Sequence, residues 1–192
     1  MSVDLHAAQS QGFFDGPVDH LVAMPVLVDY IRDRFQGHLD NVAVVSPDAG
    51  RIRVAEQWAQ RLGGGPLAFV HKTRDITRPN QAVANRVVGD VAGKDCVLVD
   101  DLIDTAGTIA GACHVLQDAG AKSVTVVATH GVLSGPANER IANSCIKELT
   151  FLNTIPPLEG ACSKIKYLSV ASMFSEAIER TYQEVSISKL FR

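Results

Sequence analysis

The sequence has no excess of basic charge and no long apolar run. Its 192 residues contain 18 Lys and Arg against 21 Asp and Glu, a formal net charge of −3 at pH 7. A chain with this balance lacks the basic stripe that neutralises nucleic-acid phosphates. No apolar run approaches the length of a membrane span, and the N-terminus lacks the basic-then-apolar pattern of a signal peptide. We therefore expect neither a nucleic acid nor a membrane as partner, and a cytoplasmic location.

Cysteine is sparse and widely spaced. The four cysteines are Cys96, Cys113, Cys145 and Cys162, with no Cys-x-x-Cys pair among them. This spacing indicates neither a zinc site nor a redox motif. Cys96 and Cys113 lie inside apolar patterns, so we predict that both are small core residues. A hydrophobic content of 46% can bury one sizeable core, which favours one principal domain.

Strand-like and helix-like segments alternate along the chain. The patterns predict strands at 2–5, 41–45, 67–70, 83–88, 96–100, 123–129, 148–152 and 166–170, and helices at 25–35, 51–62, 108–118, 136–143 and 172–182. The polar stretch 71–81 is predicted to be a long mobile loop. Such alternation is typical of an α/β protein with a mainly parallel sheet and helices on both faces. Ligands bind beyond the C-terminal strand ends of such sheets, where Asp48, Lys72 and Asp100 are expected.

The most informative segment runs from Val97 to Thr108, with the sequence VLVDDLIDTAGT. An apolar strand ends in Asp100 and Asp101, and a small, hydroxyl-rich run then leads into a predicted helix. Carboxylates accept hydrogen bonds from sugar hydroxyls or bind Mg²⁺, whereas a helix start favours an anion such as phosphate. Together the two halves predict a ribose phosphate as ligand. The alternative is an acidic strand end followed by an ordinary capped helix.

This segment resembles the phosphoribosyl-pyrophosphate loop of the type I phosphoribosyltransferases and of the ribose-phosphate pyrophosphokinases. The usual form of the loop is Asp-Thr-Gly-Gly-Thr, and Ala106 replaces the first Gly here. If that position requires a positive φ, alanine is penalised relative to glycine. The resemblance implies a type I phosphoribosyltransferase-like fold.

The segment 4–19, DLHAAQSQGFFDGPVD, is similar to the divalent-cation signature of the pyrophosphokinases, which the transferases lack. The similarity continues, in the manner of actinobacterial members, through SPDAG at 46–50, KTR at 72–74, GDVAG at 89–93, ATH at 128–130 and ISKLF at 187–191. It thus covers essentially the whole chain. It implies Mg²⁺ ligands among His6, Asp48, Asp4, Asp15 and Asp19. Asp48 equally suits a simple turn, and Asp15 or Asp19 could instead cap the turn at 16–17.

The resemblance also implies a reaction and a set of roles. The family transfers the diphosphoryl group of ATP to ribose 5-phosphate, which gives 5-phosphoribosyl 1-diphosphate (PRPP) and AMP for nucleotide biosynthesis. Lys72 and Arg74 would be catalytic, with Arg74 also contacting the sugar phosphate, although loop lysines and arginines are more often solvated charges. Asp100 and Asp101 would hold the ribose hydroxyls. The 5-phosphate would be held by Asp104, Thr105, Ala106, Gly107 and Thr108.

The family has two similar domains, and the resemblance divides this chain unevenly. Residues 1–22 would belong to the N-terminal domain, 23–170 to the phosphoribosyltransferase-like domain, and 171–192 to a helix and tail that pack on the N-terminal domain. The Phe-x-Asp-x-Glu and Arg-Gln-Asp segments that bind ATP in the family are not found here. We therefore expect a ribose 5-phosphate half-site with an incomplete ATP site, in a homo-oligomer. A non-catalytic regulatory subunit and a base phosphoribosyltransferase are the alternatives.

Overall fold

The computed structural model describes residues 1–73 and 84–191, whose strands form two sheets. The strands are β1 Ser2–Val3, β2 His20–Leu21, β3 Val42–Ser46, β4 Leu67–Thr73, β5 Ala84–Val88, β6 Asp95–Ile103, β7 Ser123–Gly131, β8 Glu148–Leu152 and β9 Ile165–Leu168. The helices are α1 Met24–Arg34, α2 Ile52–Arg61, α3 Gly107–Asp118, α4 Ala137–Asn143 and α5 Ala171–Tyr182, with 3-10 turns at Ala8–Phe13, Ala49–Arg51 and Ser188–Phe191. In the described ranges no helix is both long and apolar enough to cross a membrane.

The larger sheet has a parallel centre. Its strands lie in the order β5-β4-β3-β6-β7-β8-β9, and β5 runs antiparallel to β4 while the other neighbouring pairs are parallel. Parallel neighbours need crossover connections, which explains the alternation of strands and helices along the chain. β1 and β2 form a separate parallel pair. The predicted α/β class with a mainly parallel sheet is confirmed.

Helices cover both faces of this sheet. On β6, Cys96 and Leu98 pack into the core layer that contains α3 and α4, whereas Val97 and Val99 pack into the layer of α1, α2 and α5. Successive strand side chains point to opposite faces, so a strand covered on both sides must be apolar throughout. This requirement accounts for the unbroken apolar run at the start of β6.

Strands β4 and β6 each continue about three residues beyond their predicted ends, and β7 continues two residues beyond its own. A loop is predicted from residue 71, but β4 continues to Thr73 because residues 71–73 pair with residues 84–86 of β5. The remainder of the predicted loop, residues 74–81, lies outside the described residues. β6 continues past Asp100 to Ile103, which pairs with Gly131 of β7. In each case the neighbouring strand supplies hydrogen-bond partners that a local pattern does not reveal.

The cysteines differ in part from expectation. Cys96 and Cys113 are fully buried in the core, as predicted. Cys113 of α3 is, however, joined by a disulfide to Cys145, which precedes β8. The two residues lie 32 positions apart, and the sequence alone gives no signal for their proximity.

Both ends of the chain pack on one side of the sheet. Val3 and Leu21, from the β1–β2 pair, share a core layer with α1 and α2, and Ala177 of α5 belongs to the same layer. Ile187 and Leu190 are partly buried against it. The division at residues 22 and 170 stays a prediction.

Candidate functional site

The C-terminal ends of β3 and β6 lie side by side because the two strands are parallel neighbours. After β3, Asp48 Oδ1 accepts a hydrogen bond from Gly50 N at 2.8 Å and so begins the 3-10 turn. After β6, the turn 104–106 leads into α3. A cavity of about 170 Å³ lies between the two turns and is lined by both of them. We call it the edge cavity.

The turn before α3 has the backbone of an anion-binding loop. Ala106 adopts a left-handed conformation with φ of 60°, and α3 begins at the next residue, Gly107. The first N–H groups of a helix have no acceptor within the helix, and they carry the positive end of its dipole. Thr105, Ala106, Gly107 and Thr108 all line the edge cavity. The cavity can therefore hold a phosphate group against the start of α3.

Asp104 belongs to the same turn but is directed elsewhere. Its Oδ1 accepts a hydrogen bond from the hydroxyl of Ser134, which follows β7. The structure thus brings four of the five predicted phosphate-binding residues to the edge cavity and ties Asp104 to the neighbouring segment.

Asp100 lines the edge cavity from within β6, three residues before the strand ends. Burial raises the pKa of its carboxyl to about 6, and the charge of Asp101 also raises this pKa. The Asp101 backbone N–H, 2.9 Å from Asp100 Oδ1, and the Arg51 guanidinium lower it and so offset part of the rise. The side chain is mostly an ionised hydrogen-bond acceptor at pH 7 and becomes protonated as the pH falls below about 6.

Arg51 is a site residue that the sequence reading missed. Its Nη2 donates to Asp101 Oδ2 at 2.6 Å, and its Nε lies 3.4 Å from Asp100 Oδ1, so one guanidinium bridges both carboxylates. His6 Nδ1 lies 3.0 Å from the same Asp101 oxygen. A basic residue directly after the Ser-Pro-Asp-Ala-Gly turn, facing two carboxylates on the adjacent strand, was the available signal.

Asp101 lines a cavity other than the edge cavity. A second cavity of about 210 Å³ is lined by Asp101, His6 and Arg51 and by apolar residues of α1 and α2, and Asp100 borders both cavities. Asp101 Oδ1 is buried with no hydrogen-bond partner in the part of the chain that the structure describes. Of the two carboxylates predicted to bind ribose hydroxyls, Asp100 therefore lines both cavities and Asp101 lines the second one.

The predicted metal ligands are only partly brought together. His6 and Asp48 line the edge cavity with Asp100. Asp4 is engaged in the fold, because its Oδ2 accepts from Thr129 Oγ1 at 2.6 Å and from the Ala23 amide at 3.2 Å. Asp15 and Asp19 line neither cavity.

The described residues contain no group of three or more His, Cys, Asp or Glu able to hold an ion by themselves. Mg²⁺ commonly keeps one or two protein carboxylates and completes its shell with water and phosphate oxygens. Asp48 and Asp100, the carboxylates that line the edge cavity beside His6, are compatible with an ion bound in this way.

The two predicted catalytic cations lie at the limit of the described chain. The backbone of Lys72 belongs to β4 and pairs with Asn85 of β5. β4 is the neighbour of β3 in the sheet, so its end lies near the same edge. Arg74 falls outside the described residues.

The sequence matches a family model and several named proteins. A family model for the phosphoribosyl synthetase-associated domain matches residues 76–192. A ribose-phosphate pyrophosphokinase of Bifidobacterium longum is 80% identical over 192 residues, which is 100% of this chain and 56% of the relative. One from Mycobacterium tuberculosis is 52% identical over the whole chain and 58% of the relative.

A solved structure gives the same result. The phosphoribosylpyrophosphate synthetase of Mycobacterium smegmatis superposes with a TM-score of 0.85 at 49% identity, over 95% of this chain and 58% of that one. The chain thus spans a little over half the length of the relatives it matches. With the family model covering more than half of its residues, the chain belongs to the phosphoribosyl synthetase-associated domain family, alongside the ribose-phosphate pyrophosphokinases.

Proposed function

We propose that the chain binds ribose 5-phosphate in the edge cavity, as the acceptor substrate of PRPP synthesis with ATP as donor. One observation carries this proposal: the start of α3 and the Asp100 carboxylate line the same cavity. A helix start suits the phosphate, and a carboxylate suits sugar hydroxyls. The named activity of the relatives supports the same ligand.

In this proposal the turn before α3 binds the phosphate of the ligand, and Asp100 and Asp101 bind its ribose hydroxyls. The phosphate accepts hydrogen bonds from the backbone N–H groups at the start of α3 and from the Thr108 hydroxyl. Asp100 accepts from a ribose hydroxyl, and Asp101 does so from the second cavity once Arg51 yields one of its contacts. Asp104, bonded to Ser134, acts on the shape of the loop.

Mg²⁺ is the proposed cofactor; His6 and Asp48, which line the edge cavity, would hold it, with Asp4, Asp15 and Asp19 as further candidates. The ion would neutralise charge on the phosphates of both substrates. Lys72 and Arg74 are proposed to add positive charge over the transferring group.

In the proposed reaction the anomeric oxygen of ribose 5-phosphate forms a bond to the β-phosphorus of ATP. The bond from that phosphorus to the oxygen bridging the α-phosphate breaks, AMP departs, and the hydroxyl proton passes to solvent. A homo-oligomer, a cytoplasmic location and a place in nucleotide biosynthesis belong to the same proposal.

Calorimetry tests the binding half of this proposal. We expect ribose 5-phosphate to bind with and without Mg²⁺, more tightly with it, and excess inorganic phosphate to compete. Asp48→Asn should reduce the effect of Mg²⁺, whereas Asp118→Asn, at the far end of α3, should leave it unchanged. No binding of ribose 5-phosphate under either condition, or no competition by phosphate, would contradict the assignment.

Release of AMP tests the catalytic half. AMP that forms from ATP only when ribose 5-phosphate is present supports diphosphoryl transfer. Binding of ribose 5-phosphate without any such release indicates a non-catalytic sugar-phosphate site in this chain.

A further inference from the structure

Arg140 contacts the turn before α3 from outside the edge cavity. It lies on α4, and its Nη1 donates a hydrogen bond of 3.0 Å to the backbone carbonyl of Thr105. A Cβ built on Gly107 would lie 3.5 Å from the same nitrogen, so the guanidinium lies directly beside the first turn of α3. Arg140 itself lines a surface groove between α3 and α4, with His114 as a neighbour.

The geometry of the peptide bond links this contact to the cavity. The carbonyl of Thr105 and the N–H of Ala106 belong to one planar trans peptide and therefore point in opposite directions. Because Arg140 holds the carbonyl towards α4, the N–H is directed to the other side, where Thr105 and Ala106 line the edge cavity. A cation on the carbonyl also polarises the peptide and makes its N–H a stronger donor.

The identity of residue 106 makes such support necessary. Ala106 has a φ of 60°, a conformation that an alanine adopts less readily than a glycine. Its methyl group is buried in the core layer of α3 and α4, which fixes one side of the residue. The Ser134 hydroxyl holds the adjacent Asp104 side chain, so the segment after β7 contacts two consecutive residues of the turn.

We propose that Arg140 is a positioning residue that orients the 105–106 peptide so that the Ala106 N–H donates to the phosphate of the ligand. This inference rests on the proposed function, because it requires that the turn binds a phosphate. Arg140 acts through the peptide and does not touch the ligand.

Arg140→Met removes the charge and the donor while keeping an unbranched side chain at an exposed helix position. We expect the variant to bind ribose 5-phosphate and inorganic phosphate about tenfold more weakly, the effect of losing one oriented charge-assisted hydrogen bond. The Ala106 amide resonance of the ligand-free chain should shift, and its response to added phosphate should shrink. Arg140→Lys, which can still donate to the carbonyl, should recover part of the affinity.

Two further variants separate positioning from simple loss of charge. Arg32→Met removes an arginine whose guanidinium contacts the C-terminal end of α2, at the opposite sheet edge, and should leave phosphate affinity unchanged. In the double variant Arg140→Met, Ala106→Gly, affinity should return most of the way, because glycine takes a positive φ without support. A direct ligand would not be rescued in this way.

The outcomes distinguish the two proposals. Wild-type chain that binds neither ribose 5-phosphate nor phosphate overturns the proposed function and this inference with it. Wild-type binding that Arg140→Met leaves unchanged overturns the inference alone. Weakened binding that Ala106→Gly fails to restore also overturns it, since Arg140 would then act as a direct ligand or a general charge.

Discussion

Replacing Asp100 by asparagine should make the chain more stable and its ligand binding weaker. The carboxyl lies within β6, where burial and the Asp101 charge raise its pKa from 3.8 to about 6. An ionised Asp100 is therefore less favourable in the folded chain than in the unfolded one at pH 8. Asparagine has nearly the same shape, can still accept from the Asp101 amide, and carries no charge.

The size of the effect follows from the pKa difference. A rise of about two units corresponds to about 3 kcal/mol of unfolding free energy above pH 6. The attraction of Arg51, whose Nε is 3.4 Å away, is already included in this net pKa rise and needs no separate deduction. We therefore expect Asp100→Asn to be about 3 kcal/mol more stable than wild type at pH 8.

The sign of the pH dependence is opposite to that of an ordinary salt-bridged carboxylate. Between pH 4 and 6 the folded chain holds the Asp100 proton more tightly than the unfolded chain does, so acidification favours the folded wild type. The advantage of the variant should shrink by about 1 kcal/mol between pH 8 and pH 5. Ribose 5-phosphate binding by wild type should weaken over the same range as the acceptor becomes protonated.

Urea unfolding of both chains at pH 8 and pH 5 measures these differences, and calorimetry measures ribose 5-phosphate affinity. Asp118→Asn, on the exposed end of α3, is the matched control and should change stability little at either pH. A variant less stable than wild type at pH 8, or a stability difference that does not change with pH, would refute the reasoning.

Three other changes test the site and the fold. Thr108→Val removes a hydroxyl from the edge cavity and should weaken ribose 5-phosphate binding by roughly 1–3 kcal/mol in calorimetry; unchanged affinity would count against the phosphate loop. Gly89→Ala should lower the unfolding free energy by about 2–4 kcal/mol in urea, since φ is 113° there and the added Cβ would lie 2.6 Å from a backbone oxygen of β4. Glu148→Gln should lower the free energy of unfolding by about 2 kcal/mol in a thermal melt, because the buried carboxylate contacts Lys166 and the Tyr30 hydroxyl, each 2.6 Å away. A decrease below about 0.5 kcal/mol would show that these contacts contribute little.

Local sequence patterns predicted the elements of the fold well. Strand and helix positions follow from apolar periodicity and from glycine or proline at the ends, and the structure places most of them within a few residues. The exceptions include the last residues of β4, β6 and β7 and the unpredicted short strand β2, all of which depend on pairing with other strands. The antiparallel direction of β5 could not be predicted either, since no local pattern specifies strand direction.

The sequence by itself determined the loop before α3, the two adjacent carboxylates of β6 and the family to which these motifs belong. Each is a property of consecutive residues, whose spacing along one strand or helix start fixes their relative placement. Only the tertiary structure decided which groups meet across the edge of the sheet. It brought Arg51 to Asp100 and Asp101, turned Asp104 to Ser134, and set Arg140 on the carbonyl of the phosphate loop. Contacts between residues 30 to 50 positions apart arise from the order of strands and the packing of helices, so no local sequence pattern predicts them.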